Sequence, residues 1–160
     1  MSNTYDILSF FAKKGLTIGA VESLTAGLFS SLLCEVPGAS AVFKGALVTY
    51  SPELKEALAN VKASTIQSEG VVSAEVAKQM AIGGKATLGV DVCVSCTGNA
   101  GPSVEEGEAP LGRVYLGLAY KDTVWTIPMD YQGTRNEIRK KTVGAMLAFI
   151  ESLIPMIQNS

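Results

Sequence analysis

Leu16-Thr-Ile-Gly-Ala-Val21 passes directly into Glu22-Ser-Leu-Thr-Ala-Gly27 and then into Leu28 to Glu35. A short apolar run with β-branched residues, a polar turn and a helical stretch in immediate succession spell strand, turn, helix, the repeating unit of an α/β fold. Upstream, Tyr5, Leu8, Phe11 and Ala12 recur at helical spacing from about Asn3, and Lys13-Lys14-Gly15 supplies a helix stop. Downstream, Pro37-Gly38 breaks the chain, Val42 to Tyr50 reads as a second strand, and Ser51-Pro-Glu opens a helix to about Ala59 with a Ser cap and Pro at the first helical position. Ser73 caps a helix to about Leu88, with Gly83-Gly84 as its weak point, and Val90 to Ser95 is a strand ending in the loop Thr97-Gly-Asn-Ala-Gly-Pro102. Ser103 to Pro110 carries no hydrophobic pattern and reads as a surface loop. Strands at Gly112 to Tyr120 and Thr123 to Tyr131 form a hairpin about Lys121-Asp122, and a closing helix runs from Gly133 to about Ile154. The expected architecture is a mixed sheet with helices on both faces, in three α/β/α layers, within one domain over residues 1–160.

The 160 residues are 48% apolar and 18% charged, enough to bury roughly two thirds of the surface of the unfolded chain, which argues against disorder. The net charge of −2 lacks a basic block, so neither nucleic acid nor an anionic membrane is an expected partner. No apolar run is long enough to span a bilayer and the start, Met1 to Asp6, is polar, so a cytoplasmic location is expected. Cys34, Cys93 and Cys96 lie in apolar stretches and read as reduced core thiols. The Cys93-x-x-Cys96 spacing puts its two thiols on opposite faces of a strand, unlike a redox pair, and with no histidine to complete four ligands a zinc site is not expected.

Ligands of open α/β sheets gather beyond the carboxyl ends of strands. Three loops occupy that position: Glu22, Ser23, Thr25 and Gly27; Tyr50, Ser51 and Lys55; and Thr97 to Pro102. Each has a plainer reading, with Ser23 or Thr25 as helix caps, Lys55 as a solvated helix lysine, and Gly98 and Gly101 as simple turns. The absence of histidine narrows the chemistry, because a serine nucleophile must then draw its base from Lys, Tyr or a carboxylate. A free lysine is neutral in only about one molecule in 2,500 at pH 7, so a lysine base must be desolvated or set beside positive charge. Lys55, at i, i+4 from Ser51, is placed to point back towards the strand end. Gly98 and Gly101 allow backbone N–H groups close to an oxyanion or phosphate, and Gly133-Thr-Arg135 offers either an anion site or a Thr134 cap beside an exposed arginine.

These segments resemble the C-terminal domain of the CinA competence/damage-inducible proteins, which also occurs alone as nicotinamide-nucleotide amidohydrolase. Ala20-Val-Glu-Ser-Leu-Thr-Ala-Gly27 resembles A-E-S-C-T-G-G, Val36-Pro-Gly-Ala-Ser40 resembles V-P-G-S-S, and Val48-Thr-Tyr-Ser-Pro-Glu-Leu-Lys55 resembles V-T-Y-S-N-E-A-K. Gly70-Val-Val-Ser73 resembles G-A-V-S, Thr97 to Pro102 resembles T-G-I-A-G-P, Pro110-Leu-Gly112 resembles P-V-G, and Gly133-Thr-Arg135 with Arg139 resembles G-D-R-x-x-(I/V)-R. The resemblance implies a three-layer domain that hydrolyses the carboxamide of nicotinamide mononucleotide to nicotinate mononucleotide and ammonia, with no metal or cofactor. It places the nucleophile at Ser23, its partner lysine at Lys55 and a proton-transfer tyrosine at Tyr50. It also implies substrate-site positions at Glu22, Thr25, Gly27, Gly98, Asn99, Ala100, Gly101 and Arg135, with Arg135 holding the nucleotide phosphate and Glu22 and Thr25 supporting the site.

The chain departs from the family pattern at Leu24, Ala26 and Asn99, all near the expected site. Ala26 matters if its position needs a positive φ, where a Cβ costs about 1 kcal/mol. These departures motivate an alternative, a catalytically silent pyridine-nucleotide-binding or regulatory domain; a third reading is a structural partner domain, although Met1 stands almost directly before the first helix and suggests a chain that stands alone. Met146, Phe149, Leu153 and Met156 on the closing helix permit a homodimer.

Overall fold

The computed structural model describes residues 3–160; Met1 and Ser2 of the polar start lie outside them. Strands β1 (Ile18–Glu22), β2 (Phe43–Val48), β3 (Val92–Gly98), β4 (Arg113–Tyr120) and β5 (Thr123–Asp130) form one sheet in the order β2-β1-β3-β4-β5. β1 pairs in parallel with β2 and β3, whereas β3, β4 and β5 are antiparallel. The sheet is therefore mixed, as the order of elements implies. Because β1, β2 and β3 run the same way, the segments leaving them, after Glu22, Val48 and Gly98, emerge together at one edge.

Helices cover both faces. α1 (Thr4–Lys14), α2 (Leu28–Cys34), α6 (Arg135–Glu151) and α7 (Ile154–Gln158) bring Phe11, Phe29, Leu33, Met146 and Ile157 onto the face bearing Ile18, Ala20, Val94, Cys96 and Leu116. α3 (Pro52–Ala59), α4 (Ala63–Glu69) and α5 (Ala74–Leu88) lie on the other, where Ala59, Ile66, Val76 and Met80 pack on Val21 and Cys93. Cys93 and Cys96 thus do occupy opposite faces of β3, both as free buried thiols. Cys34 does not follow the core expectation: as the last residue of α2 it turns outward and is exposed.

The glycine pair inside α5 is a site of close approach. A Cβ on Gly83 would strike the Ala59 carbonyl, and one on Gly84 would strike Val21, so the pair lets α5 seat against α3 and β1. The cost of two glycines within a helix, about 1 kcal/mol each, is offset by that contact. The hairpin turn lies at Lys121 (φ +53°), as its spacing suggests.

Two elements depart from the patterns read above. α4 is mostly polar, without a side-chain cap, and was not legible as a helix; Gln79 holds it by accepting from the Lys62 N–H and donating to Thr65 Oγ1. The closing helix is interrupted after Glu151 and resumes as α7, since Pro155 has no N–H to continue the ladder. Met146 and Leu153 are sealed in the chain's own core and Phe149 packs against it, leaving Met156 as the exposed member of the set that suggested a dimer. No described helix is long and apolar enough to cross a membrane.

Candidate active site

Ser23 follows the last residue of β1, and Lys55 sits one turn into α3 after the end of β2. Ser51 starts α3 by accepting the Leu54 N–H, with Pro52 at the first helical position, so its hydroxyl is a cap and takes no part in the cleft. That start turns Lys55 inward, leaving it 1% exposed. Its Nζ donates to the Thr49 carbonyl at 2.6 Å and lies 2.9 Å from Ser23 Oγ. Burial pushes the Lys55 pKa down to about 8. A thiolate at Cys96 would oppose that shift, but burial raises the Cys96 pKa as well, so its thiol stays protonated near neutrality and desolvation of Lys55 prevails. The neutral fraction of Lys55 at pH 7 is thereby about 300-fold larger than at the ordinary lysine pKa. Lys55 Nζ donates to both the Thr49 carbonyl and Ser23 Oγ; on losing a proton it can keep the Thr49 bond and face Ser23 with its lone pair, the orientation a general base needs.

Glu22, Thr25 and Gly27 are close in sequence to Ser23 but do not line the cleft. The buried Glu22 carboxylate accepts the Gly27, Phe29 and Ser30 N–H groups and the Ser30 hydroxyl, and so caps α2 from behind Ser23. Thr25, fully buried, places Oγ1 3.3 Å from Cys96 Sγ on β3. Gly27 (φ +96°) and Ala26 (φ +46°) turn the chain into α2. Ala26 therefore occupies a left-handed position despite its Cβ, at a cost of about 1 kcal/mol.

An open cleft of about 220 Å³ lies over the pair. Ser23, Leu24, Tyr50, Lys55, Gly98, Asn99, Ala100, Gly101 and Arg135 line it, so the three strand-end loops and the start of α6 converge as the topology dictates. The Arg135 guanidinium bridges the cleft rim, donating from Nη1 to the Gly101 carbonyl and from Nη2 to Tyr50 Oη at 2.7 Å. Thr134 meanwhile caps α6 in a capping box with Glu137, so the cap and the cleft arginine coexist. Asn99 uses Nδ2 to hold the Ala109 carbonyl at 2.7 Å, tying the surface loop to the strand end. The Asn99 N–H is bound by the Arg113 carbonyl, whereas those of Ala100 and Gly101 have no acceptor among the described residues. Thr97, from the third candidate loop, also lines the cleft, as do Pro52, Val71, Val72 and Ser103, which the sequence did not mark as site residues. The signal for Val71 lay in Gly70-Val-Val-Ser73; Thr97 Oγ1 donates to the Val71 carbonyl and draws that segment to the site.

The family model for the CinA C-terminal domain matches residues 2–154. A CinA-like protein of Petrotoga mobilis is 42% identical over 137 residues, 86% of this chain and 33% of that protein. The chain thus spans about a third of the length of such curated relatives. The competence/damage inducible protein CihA from Agrobacterium tumefaciens superposes with a TM-score of 0.90 at 34% identity, covering 94% of this chain and 92% of that one. The competence damage-inducible protein A of Klebsiella pneumoniae gives 0.88 at 27% identity, covering 95% and 98%. The chain belongs to the CinA C-terminal domain family.

Proposed function

We propose that the chain is a nicotinamide-nucleotide amidohydrolase that converts nicotinamide mononucleotide to nicotinate mononucleotide and ammonia through Ser23 and Lys55. The observation that carries this reading is the buried Lys55 Nζ 2.9 Å from Ser23 Oγ at the floor of an open cleft. Lys55 takes the hydroxyl proton as Ser23 Oγ bonds to the carboxamide carbon, and the carbonyl oxygen becomes an oxyanion. The uncommitted Ala100 and Gly101 N–H groups are the nearest source of oxyanion donors, worth about 3 kcal/mol each where aligned. As the C–N bond breaks, protonated Lys55 returns its proton to the departing nitrogen, which leaves as ammonia. Water then adds to the Ser23 ester with Lys55 again as base, and the carboxylate is released.

Lys55 reaches Ser23 directly, so no relay through Tyr50 is needed for that transfer. Tyr50 is 57% exposed and its hydroxyl is held at the rim by Arg135, where both groups can meet the nucleotide portion of a substrate. Arg135 is the cationic group lining the cleft besides Lys55, and it is the site for a phosphate in this reading.

Ammonia release from nicotinamide mononucleotide, NAD and free nicotinamide tests the activity and ranks its substrates. Activity on the mononucleotide is expected to vanish in Ser23→Ala and in Lys55→Ala while circular dichroism shows both folded. Full activity in Ser23→Ala removes Ser23 from the mechanism, and nucleotide binding by calorimetry without turnover makes the chain a binding domain instead.

A further inference from the structure

Arg139 lies one turn beyond Arg135 on α6, half-buried, and each of its three guanidinium nitrogens has a partner. Nε donates to the Leu24 carbonyl at 2.8 Å, Nη2 to the Thr25 carbonyl at 3.2 Å, and Nη1 to Asn136 Oδ1 at 3.0 Å. Two successive carbonyls immediately after the nucleophile are thus gripped by one planar fork. The other side of the same turn is gripped by Glu22 through the Gly27, Phe29 and Ser30 N–H groups. Where the two grips meet stand Ala26 and Gly27, both at positive φ. A pair of left-handed residues, one bearing a Cβ, is not a conformation that a free segment holds by itself.

We propose that Arg139 is a positioning residue for the nucleophile: by drawing the Leu24 and Thr25 carbonyls towards α6 it sets the turn that presents Ser23 Oγ to Lys55 Nζ. It does not line the cleft and takes no part in proton transfer. A lysine cannot replace it, because a single ammonium lacks the rigid fork that spans two carbonyls. The inference rests on the Ser23–Lys55 reading for its catalytic consequence, but the restraint on the turn has a readout of its own.

The test compares Arg139→Ala and Arg139→Lys with the wild type by steady-state kinetics on nicotinamide mononucleotide and by amide hydrogen exchange. For Arg139→Ala, kcat is expected to fall about 100-fold with KM within about threefold, the size of effect that a small displacement of a reacting group produces. The inflection of the pH profile stays near 8, since Lys55 remains buried. Added guanidinium at tens of millimolar restores activity at least about tenfold in Arg139→Ala and leaves Ser23→Ala inactive. Amide exchange at residues 24–27 accelerates by about tenfold or more while β3 and β4 stay protected. Arg139→Lys shows the same direction with the charge kept, and serves if the alanine variant does not fold. An unchanged kcat, unchanged exchange at residues 24–27, or a loss of activity that follows general unfolding and is not rescued by guanidinium would overturn the proposal. If the wild type releases ammonia from none of the amides, the amidohydrolase reading falls, while the exchange data still decide whether Arg139 holds the turn.

Discussion

The depressed pKa of Lys55 makes a quantitative prediction about activity against pH. With a pKa of about 8, the neutral fraction is about 3% at pH 6.5, about 24% at pH 7.5, about 76% at pH 8.5 and nearly complete at pH 9.5. Since kcat/KM reports ionisation of the free enzyme, it should climb about eightfold between pH 6.5 and 7.5, about threefold over the next unit, and less than 1.5-fold over the last. A lysine left at its ordinary value would instead give close to tenfold per unit through the whole range. The assay is chromatographic detection of nicotinate mononucleotide at subsaturating substrate, which avoids the volatility of ammonia in alkaline buffer. Lys55→Arg should be inactive across the range, because a guanidinium is not deprotonated at these pH values. A flat profile from pH 6.5 to 9.5 would show that Lys55 is not the base, and a rise that continues tenfold per unit to pH 9.5 would show that burial does not tune it.

Lys55 should also leave a mark on stability: between pH 8 and 10.5 the unfolded chain holds its proton and the folded chain does not, so folding stability rises with pH through that window. Unfolding free energies from urea titration of the wild type and Lys55→Met should therefore shift relative to each other in favour of the wild type by up to about 3 kcal/mol from pH 8 to 10.5, with the opposing titration of buried Cys93 cancelling in the comparison. Ala26→Gly removes a Cβ from a left-handed position and should raise stability by about 0.5–1 kcal/mol with kcat retained; lower stability in chemical denaturation would show that the turn is not strained there. Glu22→Gln keeps one acceptor but loses the charge that three N–H groups and a hydroxyl share, and should cost about 2–3 kcal/mol in the same measurement. Gly83→Ala should unseat α5 from the Ala59 carbonyl and lower the melting temperature by several degrees, despite the better helix propensity of alanine.

The fold was readable because its signals were local: Ser51-Pro52, Ser73 and Thr134 start helices at the positions their types favour, and Lys121-Asp122 closes the hairpin. α4 was hidden because Ala63 to Glu69 owes its helix to Ile66 packing and to Gln79, not to a periodic apolar face. Strand order explains why loops 32 residues apart meet, since Ser23 and Lys55 leave adjacent parallel strands at one edge. Their hydrogen bond was not readable, because it depends on how the α3 cap turns a flexible side chain inward. Glu22 was harder still: it reaches N–H groups five, seven and eight residues ahead, a spacing that no ordinary capping motif has.

Leu24, Ala26 and Asn99, the residues that set this chain apart from the family pattern, each have a local role that leaves the pair intact. Leu24 is buried against the core and also lines the cleft beside Ser23, without entering the Ser23–Lys55 contact. Ala26 carries a strain of about 1 kcal/mol, smaller than the combined grip of Glu22 and Arg139 on the same turn, at about 1.5–3 kcal/mol for each hydrogen bond to a charged group. Asn99 directs its amide nitrogen to Ala109, so its polarity ties down the 103–110 loop at the cleft mouth. The departures thus act on the packing around Ser23 and on the loop at the cleft mouth, so what they can alter is access to the cleft and the fit of a substrate in it. The pair itself is retained, with Lys55 Nζ anchored on the Thr49 carbonyl and 2.9 Å from Ser23 Oγ, so an active enzyme and a silent domain differ in whether the cleft seats a substrate carboxamide against that pair, which turnover measurements decide.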